Sequence, residues 1–128
     1  GDMASVEADS SIRLLGRGSQ SINTGGEKVF PEEVESTLKG HPGVFDVLVV
    51  GVPDARWGER VVAVVQPRSG VVLDADEIAR FCRGRLAGYK IPHGVVAVDA
   101  VRRTPAGKAD YRWARQAALQ ALDPDGGQ

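Results

Sequence analysis

At 128 residues the chain has room for one small domain with a single core. Apolar residues make up 42% and charged residues 26%, a globular rather than a disordered balance. The net charge is −1 with acidic and basic residues interspersed, so the basic excess that a general nucleic-acid binder needs to displace counterions is absent. Cys82 is the only cysteine, which excludes an internal disulfide and a cysteine-based metal site and fits a reducing compartment. Aromatics are 5% while valine occurs 18 times, so an aliphatic, strand-rich core is expected.

Residues 1–10 are polar and without period. Residues 11–15 and 21–23 are short strand-like stretches separated by Gly16-Arg17-Gly18-Ser19, and they predict an N-terminal hairpin that must lean on something larger. Thr24-Gly25-Gly26-Glu27 is a second tight turn, because adjacent glycines supply positive φ at no steric cost. Pro31-Glu32-Glu33 opens a helix: proline suits the first turn, and glutamates suit the positive end of the dipole. Glu32, Glu33 and Glu35 are read as helix-start charge, and Gly40-His41-Pro42 stops the helix.

Residues 44–52 predict a buried strand, and valine-rich residues 60–66 predict its antiparallel neighbour. Asp74 caps a second helix whose apolar stripe includes Ile78, Phe81, Cys82 and Leu86, with Gly88 as its expected end. A strand at 94–98, a loop through Gly107-Lys108 and a helix over about 110–122 complete the order, with a frayed tail at 123–128. The resulting expectation is an α+β domain: a small N-terminal hairpin, then a compact sheet of about three strands with helices packed on it. The longest apolar run, 44–52, contains Asp46 and is too short to cross a bilayer. With no basic-then-apolar leader at the N-terminus, a soluble, cytoplasmic chain without a transmembrane segment is expected.

Familiar catalytic motifs fail. Gly107-Lys108 is not a P-loop, since Arg102 stands where a glycine is needed and Ala109 where Ser or Thr should bind magnesium. Gly16-x-Gly18 lacks the third glycine of a dinucleotide fingerprint. His41 and His93 have no ligand spacing, so no metal site is expected, and no serine sits in a nucleophile elbow. Trp57 and Tyr89 are read as packing residues in a core poor in aromatics. What remains are three cations in glycine-rich loops. Arg17 lies between glycines, Lys28 follows the double glycine, and Lys108 follows Pro105-Ala106-Gly107. Each offers donors to phosphate or ribose oxygens, and each is also compatible with a solvated surface charge.

Gly-Asp-Met-Ala at 1–4, LLGRGSQSINTGGEKVFPEEVE at 14–35, HPGVFDVLVVGVPDARWGERVVAVV at 41–65, LAGYKIP at 86–92 and RTPAGKADY at 103–111 stand in an order that resembles the adenylate-forming superfamily. That superfamily holds acyl- and aryl-CoA synthetases, luciferases and peptide-synthetase adenylation domains, and the GGEKVFPEEVE wording looks most like the fatty-acyl-CoA ligases. The resemblance implies the small C-terminal domain of an enzyme that makes an acyl-adenylate and pyrophosphate from ATP and a carboxylic acid, then passes the acyl group to CoA. It implies that residues 1–17 end a large N-terminal domain and lead into the hinge, that 18–122 form a mobile lid, and that 123–128 are a disordered tail.

Carried over by position, Asp2 is expected on the ribose hydroxyls, Arg17 and Lys28 on the nucleotide, and Lys108 in the site for adenylation. Gly25 and Gly26 are expected beside the pantetheine arm of CoA, and Arg83 near a CoA phosphate. Gly18 and Ser19 form the hinge, with Ser19 where the family usually has Asp or Lys. The implied partners are the N-terminal domain, ATP or AMP, CoA and a carboxylic acid, expected to be a fatty acid. Magnesium comes with ATP at residues outside this chain, and the chain alone is expected to be inactive. Other readings are an adenylation domain loading a carrier-protein thiol, and a non-enzymatic α+β interaction module.

Overall fold

The computed structural model describes residues 21–122. Asp2, Arg17, Gly18 and Ser19, the strand expected at 11–15, and the tail at 123–128 lie outside the described residues. The elements run β1 (Ile22–Thr24), β2 (Glu27–Val29), α1 (Pro31–Leu38), β3 (Val44–Asp54), β4 (Gly58–Pro67), α2 (Ala75–Cys82), a 3₁₀ turn (Gly88–Lys90), β5 (Gly94–Ala97) and α3 (Tyr111–Leu122). The α+β expectation is met, with a larger sheet than three strands. Five strands form one sheet in the order β2-β1-β4-β3, with β5 also on β4. β1 and β2 form a hairpin at Gly25-Gly26, where only a tight turn was expected, while the pairing expected between 11–15 and 21–23 lies outside the described residues; β1 joins the sheet through Thr24 opposite Gly58. Being part of the sheet gives these short strands the support that they lack alone.

The long β3–β4 hairpin is antiparallel from Val44↔Pro67 to Asp54↔Gly58. β5 runs parallel to β4, pairing Val62↔Gly94 through Val65↔Ala97, and the crossover between them carries α2. Residues 61–65 of β4 are all buried because both faces of the sheet are covered. Val61, Ala63 and Val65 meet Val34 and Leu38 of α1 and Ile78 and Cys82 of α2. Val62 and Val64 meet Ala114 and Ala118 of α3 on the other face. Three layers result, and the continuous valine run is their sequence signature.

Gly51 interrupts the β3 run for space: a Cβ there would lie 2.9 Å from Cγ2 of Ile22, which β1 lays across the strand. α2 begins where expected, with the Asp74 carboxylate accepting from the Glu77 N–H at 2.8 Å. It ends at Cys82, not near Gly88. The amides of Arg85 and Leu86 both return to the Cys82 carbonyl, and Gly84 takes φ of +82°, which breaks the ladder. His41 closes the stop after α1: its Nδ1 accepts from the Gly43 N–H at 2.8 Å, so Nε2 carries the proton and donates to Glu77 Oε2 at 2.9 Å. No helix among the described residues is long and apolar enough to cross a membrane.

Candidate functional site

The Gly25-Gly26 turn sits at one end of the β3–β4 hairpin. φ values of +61° and +86° at the two central residues suit a tight two-residue hairpin turn and strain any side chain there. The Gly25 amide donates to the Trp57 carbonyl at 2.9 Å, which ties this turn to the β3–β4 turn. That second turn is held by Asp54, whose carboxylate accepts from the Arg56 and Trp57 amides at 2.8 and 3.0 Å. These bonds hold the Asp54 carboxyl below its ordinary value.

Beside the two turns is a cavity of about 280 Å³ lined by Thr24, Gly25, Glu27, Trp57, Tyr89 and His93, among others. Trp57 packs edge-to-face on His93, ring centres 4.3 Å apart. A second cavity of about 280 Å³ shares Gly88 and His93 with the first and extends to Asp76, Ala79 and Arg83. The structure thus brings Gly25 and Arg83, which are far apart in the chain, onto adjoining cavities. It corrects the packing reading of Tyr89, which is exposed and lines the cavity; Trp57 is half-buried and does the same. A ring flanked by turn residues rather than by an apolar run was the signal available in the sequence. Lys28 is exposed on β2 opposite Asn23 and lines neither cavity.

Lys108 lies at the other end. Residues 102–110 form a small hairpin: Arg103 bridges Ala109, and the Thr104 amide donates to the Lys108 carbonyl at 2.8 Å. Gly107 takes φ of +84°, and the Lys108 amide donates to Thr104 Oγ1 at 3.2 Å. The Lys108 side chain is exposed, and its ammonium has no ion-pair partner among the described residues. The hairpin is fastened near Gln66, whose side chain accepts from the Val101 amide at 2.9 Å. The glycine turn is fastened near Gly58, so the two loops are separated by most of β4, roughly 25 Å at about 3.3 Å per residue.

Along the edge of β3 that no other described strand pairs, two carboxylates accept from its amides. Asp46 Oδ1 accepts from the Val47 amide at 2.9 Å, and Glu35 Oε2 from the Val49 amide at 2.9 Å. Glu35 also accepts from the Tyr111 hydroxyl at 2.7 Å, joining α1 to α3 around the sheet edge. It is therefore buried structure, not helix-start charge. Burial raises its carboxyl above the ordinary value, partly offset by the Val49 and Tyr111 hydrogen bonds. Burial and the adjacent Glu35 charge push the Tyr111 phenol far up.

Residues 33–108 match the family model for the AMP-binding enzyme C-terminal domain, over more than half of the chain. The chain belongs to that family. The matched stretch begins in α1 and ends on Lys108 itself. It is 59% identical over 124 residues to the 3-oxocholest-4-en-26-oate–CoA ligase of Rhodococcus rhodochrous, covering 96% of this chain and 22% of that protein. It is 60% identical over 116 residues to the medium/long-chain-fatty-acid–CoA/3-oxocholest-4-en-26-oate–CoA ligase of Mycobacterium tuberculosis H37Rv, covering 91% and 21%. Apo MatB from Rhodopseudomonas palustris superposes with a TM-score of 0.75 at 37% identity, over 84% of this chain and 21% of that one. The chain thus spans about a fifth of the length of these relatives. Among the described residues no three His, Cys, Asp or Glu side chains cluster as a metal site.

Proposed function

We propose that this chain is the lid domain, residues 18–122, of an ATP-dependent acyl-CoA synthetase. It works against a large N-terminal domain and turns about Gly18-Ser19 between two half-reactions. The observation that supports this most is the placement of Lys108 and the Gly25-Gly26 turn at opposite ends of β4. One rigid body with two unlike loops on opposed ends can offer one site first a cation and then a bare backbone. In the first step a carboxylate oxygen attacks the α-phosphorus of ATP and pyrophosphate leaves. The Lys108 ammonium, exposed on its hairpin, stabilises charge developing between the acid and the phosphate.

In the second step the thiol of CoA attacks the acyl carbon and AMP leaves. Gly25 and Gly26 give the pantetheine arm room, and Arg83 on the adjoining cavity meets a CoA phosphate. Asp2, Arg17 and Lys28 serve the nucleotide. The named activities of the relatives favour an apolar acid, a fatty acid or a steroid-type carboxylate. Magnesium would arrive with ATP at residues outside this chain, and the chain alone would turn nothing over.

The test measures both half-reactions in the complete polypeptide carrying this chain and its N-terminal domain. Lys108→Ala should lower pyrophosphate release by about a hundredfold or more, and leave thioester formation from a pre-made acyl-adenylate intact. Equal rates in both assays would turn Lys108 into a surface charge and sink the reading. Transfer to a carrier-protein thiol but not to CoA would replace the acceptor while keeping the lid.

A further inference from the structure

Residues 102–108 are all exposed, so packing does not decide where the tip of the Lys108 hairpin points. Its root is held: Val101 and Ala109 pack against the α3-side core, and Asp110 caps α3 by accepting from the Trp113 amide at 3.0 Å. Beyond the root, the tip's own hydrogen bonds run between Thr104, Gly107 and Lys108, and these shape the loop without orienting it on the domain. One ion pair recorded among the described residues crosses from this hairpin to the sheet. The Arg103 guanidinium grips Asp46 of β3 through Nη2 at 2.8 Å to Oδ1 and 3.0 Å to Oδ2, and through Nε at 3.1 Å to Oδ2.

Asp46 is prepared for this grip. The β3 register shifts between Val44 and Asp46, and the carboxylate is tied back by the Val47 amide and approached by Lys39 at 3.5 Å. Partial burial pushes the Asp46 carboxyl up, but the hydrogen bonds from Arg103 and Val47 and the neighbouring positive charges outweigh it and hold it below its ordinary value. A two-pronged pair between planar groups fixes direction as well as distance, which a lysine in place of Arg103 would not do. Arg103 is five residues from Lys108 and directly across the stem from its neighbour Ala109.

We infer that Asp46, acting through Arg103, is a positioning residue that aims Lys108 for the adenylation step. The inference rests on the proposed role of Lys108. A pair this close to the surface contributes little to stability, yet a displacement of about 1 Å at a reacting group costs on the order of a hundredfold in rate. Asp46 therefore serves the aim of the hairpin more than the persistence of the fold.

The experiment compares wild type with Asp46→Ala, Arg103→Ala, Arg103→Lys and Lys108→Ala in the complete polypeptide, each half-reaction measured separately. Asp46→Ala and Arg103→Ala are expected to slow adenylation by about ten- to a hundredfold, through kcat rather than the KM for ATP, with thioester formation unchanged. Arg103→Lys should recover only part of the loss. On this chain alone, ¹⁵N relaxation should show the Gly107 and Lys108 amides going from order parameters of about 0.85 to below about 0.6 in Asp46→Ala. Adenylation at the wild-type rate in Arg103→Ala, or equal losses in both half-reactions, would overturn the inference while leaving the Lys108 reading standing. If Lys108→Ala itself adenylates normally, the reading of Lys108 falls and the inference falls with it.

Discussion

Replacing Tyr111 by phenylalanine removes one hydroxyl from the bond that joins α1 to α3 around the edge of β3. The ring and its packing stay. What is lost is the 2.7 Å donor to Glu35 Oε2, leaving the buried carboxylate with the Val49 amide at 2.9 Å on that oxygen. Both neighbours are donors, so the charged carboxylate is the form they serve, and a hydrogen bond to a charged group is worth about 1.5–3 kcal/mol. At about 3–6 °C per kcal/mol for a chain of this size, the Tm should fall by at least about 4 °C.

The loss also has a pH dependence. Glu35 sits above its ordinary value of 4.5 because burial disfavours its charge, with the Val49 and Tyr111 hydrogen bonds opposing that. The fold therefore holds this proton to higher pH than the unfolded chain does. The contribution of Glu35 to stability is full below its unfolded pKa and is lost as pH rises through the folded one. Without the Tyr111 hydroxyl the folded pKa moves up further, so the variant falls behind wild type increasingly between pH 4 and pH 7. Urea unfolding of both proteins at the two pH values, at unchanged m, measures this directly. Equal destabilisation at both pH values, or a loss under about 0.5 kcal/mol at pH 7, would refute the reasoning.

Asp74→Ala removes the carboxylate that accepts from the Glu77 amide at 2.8 Å and should cost about 1 kcal/mol in a urea titration, α2 losing its N-terminal cap. Arg83→Ala changes an exposed side chain, so stability should stay within about 0.5 kcal/mol of wild type. If the guanidinium meets a CoA phosphate, the KM for CoA rises by about tenfold or more in the same variant. An unchanged KM would return Arg83 to a solvated helix end.

Much of the fold was legible because local rules and tertiary structure agree. Pro31, Asp74 and the run 61–65 each state their element in one short stretch, through a fixed φ, a cap and a two-faced burial. The second helix was read too long because Leu86 continues its apolar stripe, whereas the positive φ at Gly84 had already ended the ladder. The candidate site was legible only in part. Lys108, Gly25 and Gly26 announce themselves by loop chemistry, but Trp57 and Tyr89 read as core because ring size says nothing about which side of a turn faces solvent.

Asp46 carried a signal, a charge inside an apolar strand, without a partner to interpret it. Arg103 is 57 positions away and Tyr111 is 76 positions from Glu35. By itself the sequence determined where helices and strands begin, the aliphatic character of the core and the loops able to meet a ligand, since these depend on neighbours within a few residues. Only the tertiary structure decided that β5 runs parallel to β4, that two carboxylates close the edge of β3, and that Lys108 and the glycine turn stand at opposite ends of one strand. Each of those is a pairing across the sheet, and many alternative pairings satisfy the same local pattern until the layers pack.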